Sequence, residues 1–114
     1  MLGAVAGDII GSSYEFVDMK EYHFKMLPSG SRFTDDSVMT LAVAYWLVHY
    51  DEVGHTKEKL IECMQMFGRK YPYAGYGGSF NSWLWCENPR PYNSWGNGAA
   101  MRVSPVGLYA DTLE

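Results

Sequence analysis

Two adjacent carboxylates follow a threonine in the triplet Thr34-Asp35-Asp36. Hydroxyl and carboxylate oxygens are the ligands that Mg²⁺ and Mn²⁺ prefer, and a divalent cation would relieve the repulsion between the two acids. Because successive helical residues point about 100° apart, the two acids could serve two neighbouring ions. The same triplet is also typical of a helix start, with an N-cap and two acids at the positive end of the dipole. The spacing alone leaves both interpretations open.

Asp8 and Glu15 form a second acidic pair, seven residues apart. This separation is close to two helical turns, so both side chains would share one face if the helix continues between them. An acid in a segment rich in Gly and Ala needs a partner, which could be backbone amides, an arginine or a metal ion. The alternative is that Asp8 accepts hydrogen bonds from local amides while Glu15 ends the helix in solvent.

Two glycine-rich segments combine a flexible backbone with aromatic rings, residues 73–78 (YAGYGG) and residues 94–102 (SWGNGAAMR). Bare amides at the start of a helix can bind a phosphate, and the Trp95 ring offers a stacking surface. Turn chemistry alone is the alternative, with Asn97-Gly98 as a left-handed pair.

Helical periodicity and capping signals predict the elements that must position these residues. Glycine and apolar residues predict a buried helix over 2–13 that allows close packing. Thr34 should cap a second helix that runs to Tyr50, buried on nearly every side from Val38 to Val48 and central to the core. Thr56 should cap a third helix, which Pro72 stops. Its apolar stripe, at helical spacing, is Leu60, Ile61, Met64 and Phe67.

The remaining chain predicts only short helices within long loops. A helix over 79–86 is expected inside the glycine- and aromatic-rich stretch 71–98, and an apolar pattern starts another helix over 99–113. Long loops in a small domain are often functional. No segment alternates apolar and polar residues, so the pattern predicts helices and no strand.

Composition excludes several classes of protein. The 114 residues suffice for one domain, and 47% hydrophobic content argues against disorder. A net charge of −4 without a basic run argues against nucleic-acid binding. Cys63 and Cys86 fit two small buried residues, and the three histidines have no ligand spacing, so we expect them at the surface. No apolar run is long enough to span a bilayer, which favours a soluble, cytoplasmic protein without a membrane partner.

Three segments together resemble the ADP-ribosylglycohydrolase family, which includes the dinitrogenase reductase-activating glycohydrolases. Each segment alone is weak, but all three occur in the family's order at plausible intervals. They are residues 3–15 (GAVAGDIIGSSYE), residues 33–37 (FTDDS) and residues 93–105 (NSWGNGAAMRVSP). The family commonly has threonine where this chain has Ser37, a conservative departure.

The resemblance implies an all-α helical domain around two Mg²⁺ ions, or sometimes Mn²⁺. By position, Thr34, Asp35 and Asp36 are similar to the family's metal ligands. Glu15 is similar to the acid that touches the metal or its water, so Glu15 and Asp36 are the candidate catalytic residues. Asp8 resembles a structural partner at the base of the site.

The two glycine-rich segments resemble those that hold the phosphates and distal ribose of ADP-ribose. The implied activity is hydrolysis of the glycosidic bond between ADP-ribose and a protein side chain or small acceptor. The partner is then ADP-ribose or an ADP-ribosylated protein. The candidate substrate-binding residues are Gly75, Tyr76, Gly77, Gly78, Ser94, Trp95, Asn97 and Gly98.

One departure from the family pattern concerns its C-terminal Asp-x-Asp-Thr segment, for which residues 111–114 offer no equivalent. The chain thus resembles the N-terminal part of the family domain, over residues 1–114. From this we expect weak metal binding, incomplete catalysis and self-association through exposed apolar faces. The alternative function is a non-catalytic family remnant that binds ADP-ribose or acts as an interaction module.

Overall fold

The computed structural model describes residues 1–111, which form helices and no strand. The all-α fold class is therefore confirmed. No helix in this range is long and apolar enough to cross a lipid bilayer. The helices are α1 (Leu2–Gly11), α2 (Asp35–His49), α3 (Lys57–Lys70), α4 (Gly78–Leu84), α5 (Gly98–Met101) and α6 (Ser104–Tyr109).

Helix α2 lies at the centre and packs against α1, α3, α5 and α6. Its residues Val38, Met39 and Ala42 form the core with Met64 of α3 and Ala74. The prediction that α2 is central to the core is confirmed. The prediction that α2 is buried on nearly every side is wrong, because the described elements leave one of its faces open. The side chains left open there include Leu41, Tyr45 and Val48, the last 74% exposed.

Helix α1 is the second element whose burial differs from the expectation. The predicted helix is present, but none of its residues is buried. A Cβ atom built on Gly3, Gly7 or Gly11 would meet no other group within 4 Å. The prediction of a buried helix is wrong, because α2 is the main element that α1 contacts and the glycines of α1 line an open groove.

Helix α3 matches its prediction closely. The Thr56 hydroxyl caps it by accepting a hydrogen bond from the Lys59 amide at 3.3 Å, and the helix ends at Lys70 before Pro72. Helix α4 packs against α3 where Gly68 leaves room for the fully buried Leu84. It covers most of the predicted segment 79–86.

The helix predicted over 99–113 is two short helices in the described range, and residues 112–113 lie outside it. Pro105 explains the break between them, because it has no amide hydrogen to donate to the carbonyl of Met101 one turn earlier. That carbonyl instead accepts a hydrogen bond from the Thr40 hydroxyl of α2 at 3.2 Å. The bond ties α5 to the centre of the molecule.

The chain exposes much more surface than a compact domain of its size. Its radius of gyration is 15.3 Å, against about 13 Å expected for this length. Its accessible surface is 8492 Å², against about 6,300 Å² expected for this mass. The three histidines are exposed as predicted, and Cys63 is buried. Cys86 is exposed in the loop that follows α4, so its predicted burial is wrong.

Candidate functional site

Asp8 of α1 accepts four hydrogen bonds at the N-terminus of α2. The donors are the amide and hydroxyl of Thr34, at 2.7 and 2.5 Å, and the amide and hydroxyl of Ser37, at 3.2 and 2.5 Å. These amides belong to the start of a helix, where they have no intrahelical acceptor. A carboxylate on one helix therefore caps the next, which selects the backbone-amide partner among those considered for Asp8.

The Thr34 hydroxyl also caps α2 directly, since it accepts a hydrogen bond from the Asp36 amide at 3.3 Å. The N-cap interpretation of the triplet is confirmed. It does not exclude the metal interpretation, because a hydroxyl oxygen that donates one hydrogen bond has two lone pairs and only one is used here. The role of Ser37 was missed, because its hydroxyl donates to Asp8, which lies 29 positions earlier in the sequence.

Asp35 and Asp36 stand in a different environment from Asp8. Burial raises the pKa of Asp35 to about 6, and the neighbouring carboxylates of Asp36, Glu15 and Asp8 contribute to the rise. Burial also raises the pKa of Asp36, with a smaller contribution from Asp8. Within residues 1–111 no lysine, arginine or histidine forms an ion pair with either acid. The first turn of α2 therefore holds two acids that form no ion pair within the described residues.

The first glycine-rich loop is fastened to this turn. The amide of Asp35 donates a hydrogen bond to the carbonyl of Ala74 at 2.8 Å. The next residue, Gly75, has a φ of +99°, a backbone conformation that glycine adopts without strain. A Cβ atom at Gly75 would lie 3.9 Å from Asp35 Oδ1. The loop thus passes close to the carboxylate of Asp35.

A cavity of about 450 Å³, here called the acidic cavity, brings the three sequence segments together. Glu15 comes from the turn after α1, and Asp35 and Asp36 come from the start of α2. Both glycine-rich loops complete the lining. The predicted site residues on its wall are Glu15, Asp35, Asp36, Gly75, Gly77, Gly78, Ser94, Trp95, Asn97 and Gly98.

Two predicted site residues lie elsewhere. Thr34 lines a neighbouring open groove of about 480 Å³, which runs along α1 and shares Glu15, Asp36 and Asn97 with the acidic cavity. The Tyr76 ring packs against the core cluster instead of lining the cavity. Its hydroxyl is buried and has no partner in the described part of the chain. Burial and the nearby Asp35 raise the pKa of Tyr76 to about 12.

The second loop is open to solvent at its tip. The Trp95 ring is fully exposed at the cavity rim. The Ser94 hydroxyl accepts a hydrogen bond from the Gly96 amide at 3.1 Å. The expected left-handed Asn97-Gly98 pair is wrong, since Asn97 has a φ of −83° as the N-cap of α5 and Gly98 has no positive φ.

The oxygen donors at the acidic cavity are of the type that a hard divalent cation prefers, but they do not form a complete ligand set. Asp35, Asp36 and Glu15 supply carboxylate oxygens, and their mutual repulsion is the condition that a cation would relieve. However, no three His, Cys, Asp or Glu side chains within residues 1–111 converge as a metal-binding group. The residues that would hold an ion are Thr34, Asp35 and Asp36, with Glu15 beside them, and these form a partial ligand set.

Further residues line the acidic cavity without having been predicted as site residues, and they are Ser79, Phe80, Tyr92, Asn93, Gly96, Met101 and Arg102. Arg102 stands within the third segment, but its type alone did not distinguish a cavity cation from a solvated helix end. Phe80 and Tyr92 are two among many aromatic residues in 71–98, and nothing in their spacing separates them from the others.

Comparison with protein-family models gives one match, to the model described as ADP-ribosylglycohydrolase, over residues 1–114. Neither the comparison with curated proteins nor that with solved structures gives a match.

Proposed function

This chain belongs to the ADP-ribosylglycohydrolase family, a lineage of hydrolases, and from that premise we propose that its acidic cavity binds ADP-ribose and takes part in metal-dependent hydrolysis of an ADP-ribosyl glycosidic bond. One observation carries the proposal. Three segments that are distant in sequence, each with different chemistry, line the same cavity. Carboxylates alone would suit many sites, but carboxylates beside two glycine-rich loops suit a ligand that has both hydroxyl and phosphate groups.

The division of labour follows from the residue types. Thr34, Asp35 and Asp36 would hold Mg²⁺ or Mn²⁺, which supplies Lewis-acid polarisation and holds ribose hydroxyls in place when bound. Glu15, on the cavity wall and exposed to solvent, would orient the attacking water and accept its proton. The carboxylates would stabilise the positive charge that develops on the ribose as the bond to the acceptor breaks.

The loops would hold the rest of the ligand. The amide of Gly98, on the cavity wall, has no intrahelical acceptor and would donate a hydrogen bond to a phosphate oxygen. Trp95 would stack on an exposed part of the ligand at the rim, since its whole ring is free. Tyr76 would act through the loop that it anchors to the core.

A second function, non-catalytic binding of ADP-ribose, is favoured by the partial ligand set described above. A chain that binds the ligand without completing the metal site would act as a recognition module. The two functions differ in one measurable property, the release of free ADP-ribose.

Calorimetric titration with ADP-ribose, in Mg²⁺ and again in EDTA, tests the proposal, and an assay of ADP-ribose release from ADP-ribosylated protein follows. We expect binding to weaken about tenfold or more in EDTA and in Asp36→Asn, since each removes a ligand or its ion. Glu15→Gln should keep binding and lose turnover. Asp18→Asn, an exposed acid in a surface ion pair, is the matched control and should change neither.

Equal affinity for ADP-ribose in Mg²⁺, in EDTA and in Asp36→Asn would remove the metal and the α2 carboxylates from the site. Metal-dependent binding without any release of ADP-ribose would select the non-catalytic function.

A further inference from the structure

Arg102 closes helix α5 and faces two cavities at once. It lines the acidic cavity together with Glu15, Asp35 and Asp36. It also lines an adjoining cavity of about 490 Å³ whose wall is mostly apolar and includes Trp46. No other cationic side chain lines either cavity in the described range. The guanidinium is therefore the single described positive group in a cavity that otherwise carries carboxylates.

Three contacts hold the guanidinium in place. Its Nε donates a hydrogen bond to the carbonyl of Gly98, and its Nη1 points at the sulfur of Met64 at 3.7 Å. Its Cζ atom lies 4.9 Å from the centre of the Phe80 ring, within range of a cation–π interaction. An arginine has five N–H donors, and these contacts use two of them, one on a weak sulfur acceptor. The other donors have no acceptor in the described part of the chain.

The guanidinium is partly buried, and no carboxylate of the described residues lies within ion-pair distance of it. The ion pairs within residues 1–111 join Lys20 to Asp18 and Lys59 to Glu62, and none involves Arg102. Burial lowers the pKa of Arg102, while Tyr92 and Asp35 oppose the change, and an arginine stays protonated at neutral pH in any case. A partly buried cation with no carboxylate at ion-pair distance is unfavourable, so its position favours a ligand that supplies a contacting anion.

We propose that Arg102 binds the diphosphate of the ligand in the acidic cavity. This inference rests on the proposed function and extends it, since it assigns the negative part of the ligand to one side chain. A guanidinium held over a ring with free N–H groups can donate two parallel hydrogen bonds to phosphate oxygens. The cavity would then hold a ligand of mixed character, with its hydroxyls near the α2 acids and its phosphates on Arg102.

The matched control is Arg69, which has the same local contacts without a cavity. Its Nε donates a hydrogen bond to the carbonyl of Leu84 at 2.7 Å, and its Cζ lies 5.7 Å from the Trp85 ring centre. Arg69 lines neither cavity. A substitution at Arg69 therefore measures what the backbone and ring contacts contribute to folding. A loss of ligand affinity that occurs in the Arg102 variants and not in the Arg69 variant measures the contribution of Arg102 to anion binding.

The test is calorimetric titration of the whole chain with ADP and with adenosine, in EDTA and in Mg²⁺, for the wild type, Arg102→Met, Arg102→Lys and Arg69→Met. We expect Arg102→Met to weaken ADP binding about 10- to 100-fold, since a hydrogen-bonded charge pair is lost. Arg102→Lys should lose less, because an ammonium keeps the charge without the paired hydrogen bonds. Adenosine affinity and ADP binding by Arg69→Met should stay unchanged.

Unchanged ADP affinity in Arg102→Met would overturn the inference, and so would the absence of ADP binding by the wild type in both buffers. If Arg102→Met shows no cooperative thermal unfolding, Arg102→Gln, a neutral side chain that can still donate to Gly98, decides by the same criterion. Binding of ADP through Arg102 without release of ADP-ribose would support the inference while removing the catalytic function. If Arg102→Met released ADP-ribose at the wild-type rate and with the wild-type KM, the catalytic function would be supported and the inference about Arg102 would be overturned.

Discussion

Two carboxylate environments meet at the N-terminus of α2, and they differ in what surrounds each acid. On the α1 side, Asp8 accepts hydrogen bonds from two amides and two hydroxyls. On the cavity side, Asp35 lies near the carboxylates of Asp36 and Glu15, and neither aspartate forms an ion pair within the described residues. The same residue type thus stabilises the helix start on one side and destabilises it on the other.

The difference distinguishes a structural carboxylate, Asp8, from the candidate functional carboxylates, Asp35 and Asp36. Hydrogen bonds to a carboxylate stabilise a fold, so Asp8 needs no ligand to explain its presence. The burial of like charges on the cavity side has a free-energy cost that the backbone hydrogen bond to Asp35 offsets only in part, and the proposed cation would relieve it. The metal interpretation rests on this difference between the two sides of α2.

The largest effect is expected from Asp8→Ala. The substitution leaves four donors at the start of α2 without their acceptor, and the free energy of unfolding should fall by about 3 kcal/mol. Urea denaturation followed by circular dichroism measures it. Asp18→Ala removes an exposed acid from a surface ion pair and should change stability by less than about 0.5 kcal/mol. Equal stability of Asp8→Ala and wild type would mean that water replaces the carboxylate without loss.

The next effect concerns the loop that α2 holds beside Asp35. Gly75→Ala places a side chain at a φ of +99°, and the free energy of unfolding should fall by about 1–2 kcal/mol. Gly77→Ala is the matched control, because Gly77 has a φ of −59° and its Cβ would meet nothing within 4 Å. That variant should be neutral or stabilised by about 0.4–1 kcal/mol. Thermal unfolding measures the stability of both variants. An equal loss of stability in both would mean that the positive φ at Gly75 has no special importance.

Local signals in the sequence were sufficient for the helix starts. Thr34 and Thr56 each precede acids and an apolar run, and both are the N-caps of the helices that they were expected to begin. Such signals work because a cap and its helix are neighbours in the chain. The start of α6 shows the limit of such signals, because Pro105 is of the type that interrupts a helix while the apolar pattern continues across it.

The burial of whole helices could not be read in the same way. The apolar run of α2 and the glycines of α1 indicate surfaces that can be covered, but coverage depends on which elements come to lie there. Val48 and Gly7 are open in the described structure for this reason. The hydrogen-bond donors to Asp8 lie 26 or more positions away in the sequence. The position of Arg102 in the acidic cavity depends on three loops that meet there.

On the cavity side, Asp35→Asn should stabilise the metal-free protein. In the native state the pKa of Asp35 is about 6 against an ordinary value of 3.8, so its ionised form at pH 8 opposes folding. After allowance for its half-exposed position, we expect a gain of about 1 kcal/mol in the free energy of unfolding in EDTA. Urea denaturation at pH 8 measures it. A loss of stability in Asp35→Asn would mean that the carboxylate is held by bonds its surroundings supply, as at Asp8.

The smallest effect is the pH dependence of that gain. Because the native pKa of Asp35 is raised, the native state binds more protons than the unfolded state between about pH 4 and 6. The contribution of Asp35 to stability is therefore complete below 3.8 and is lost as the pH rises through about 6. Melting temperatures in EDTA should show the wild type and Asp35→Asn converging as the pH falls from 8 to 5. A constant difference between them over that range would show that Asp35 ionises as freely in the native state as in the unfolded chain, and the two sides of α2 would then differ in hydrogen bonding alone.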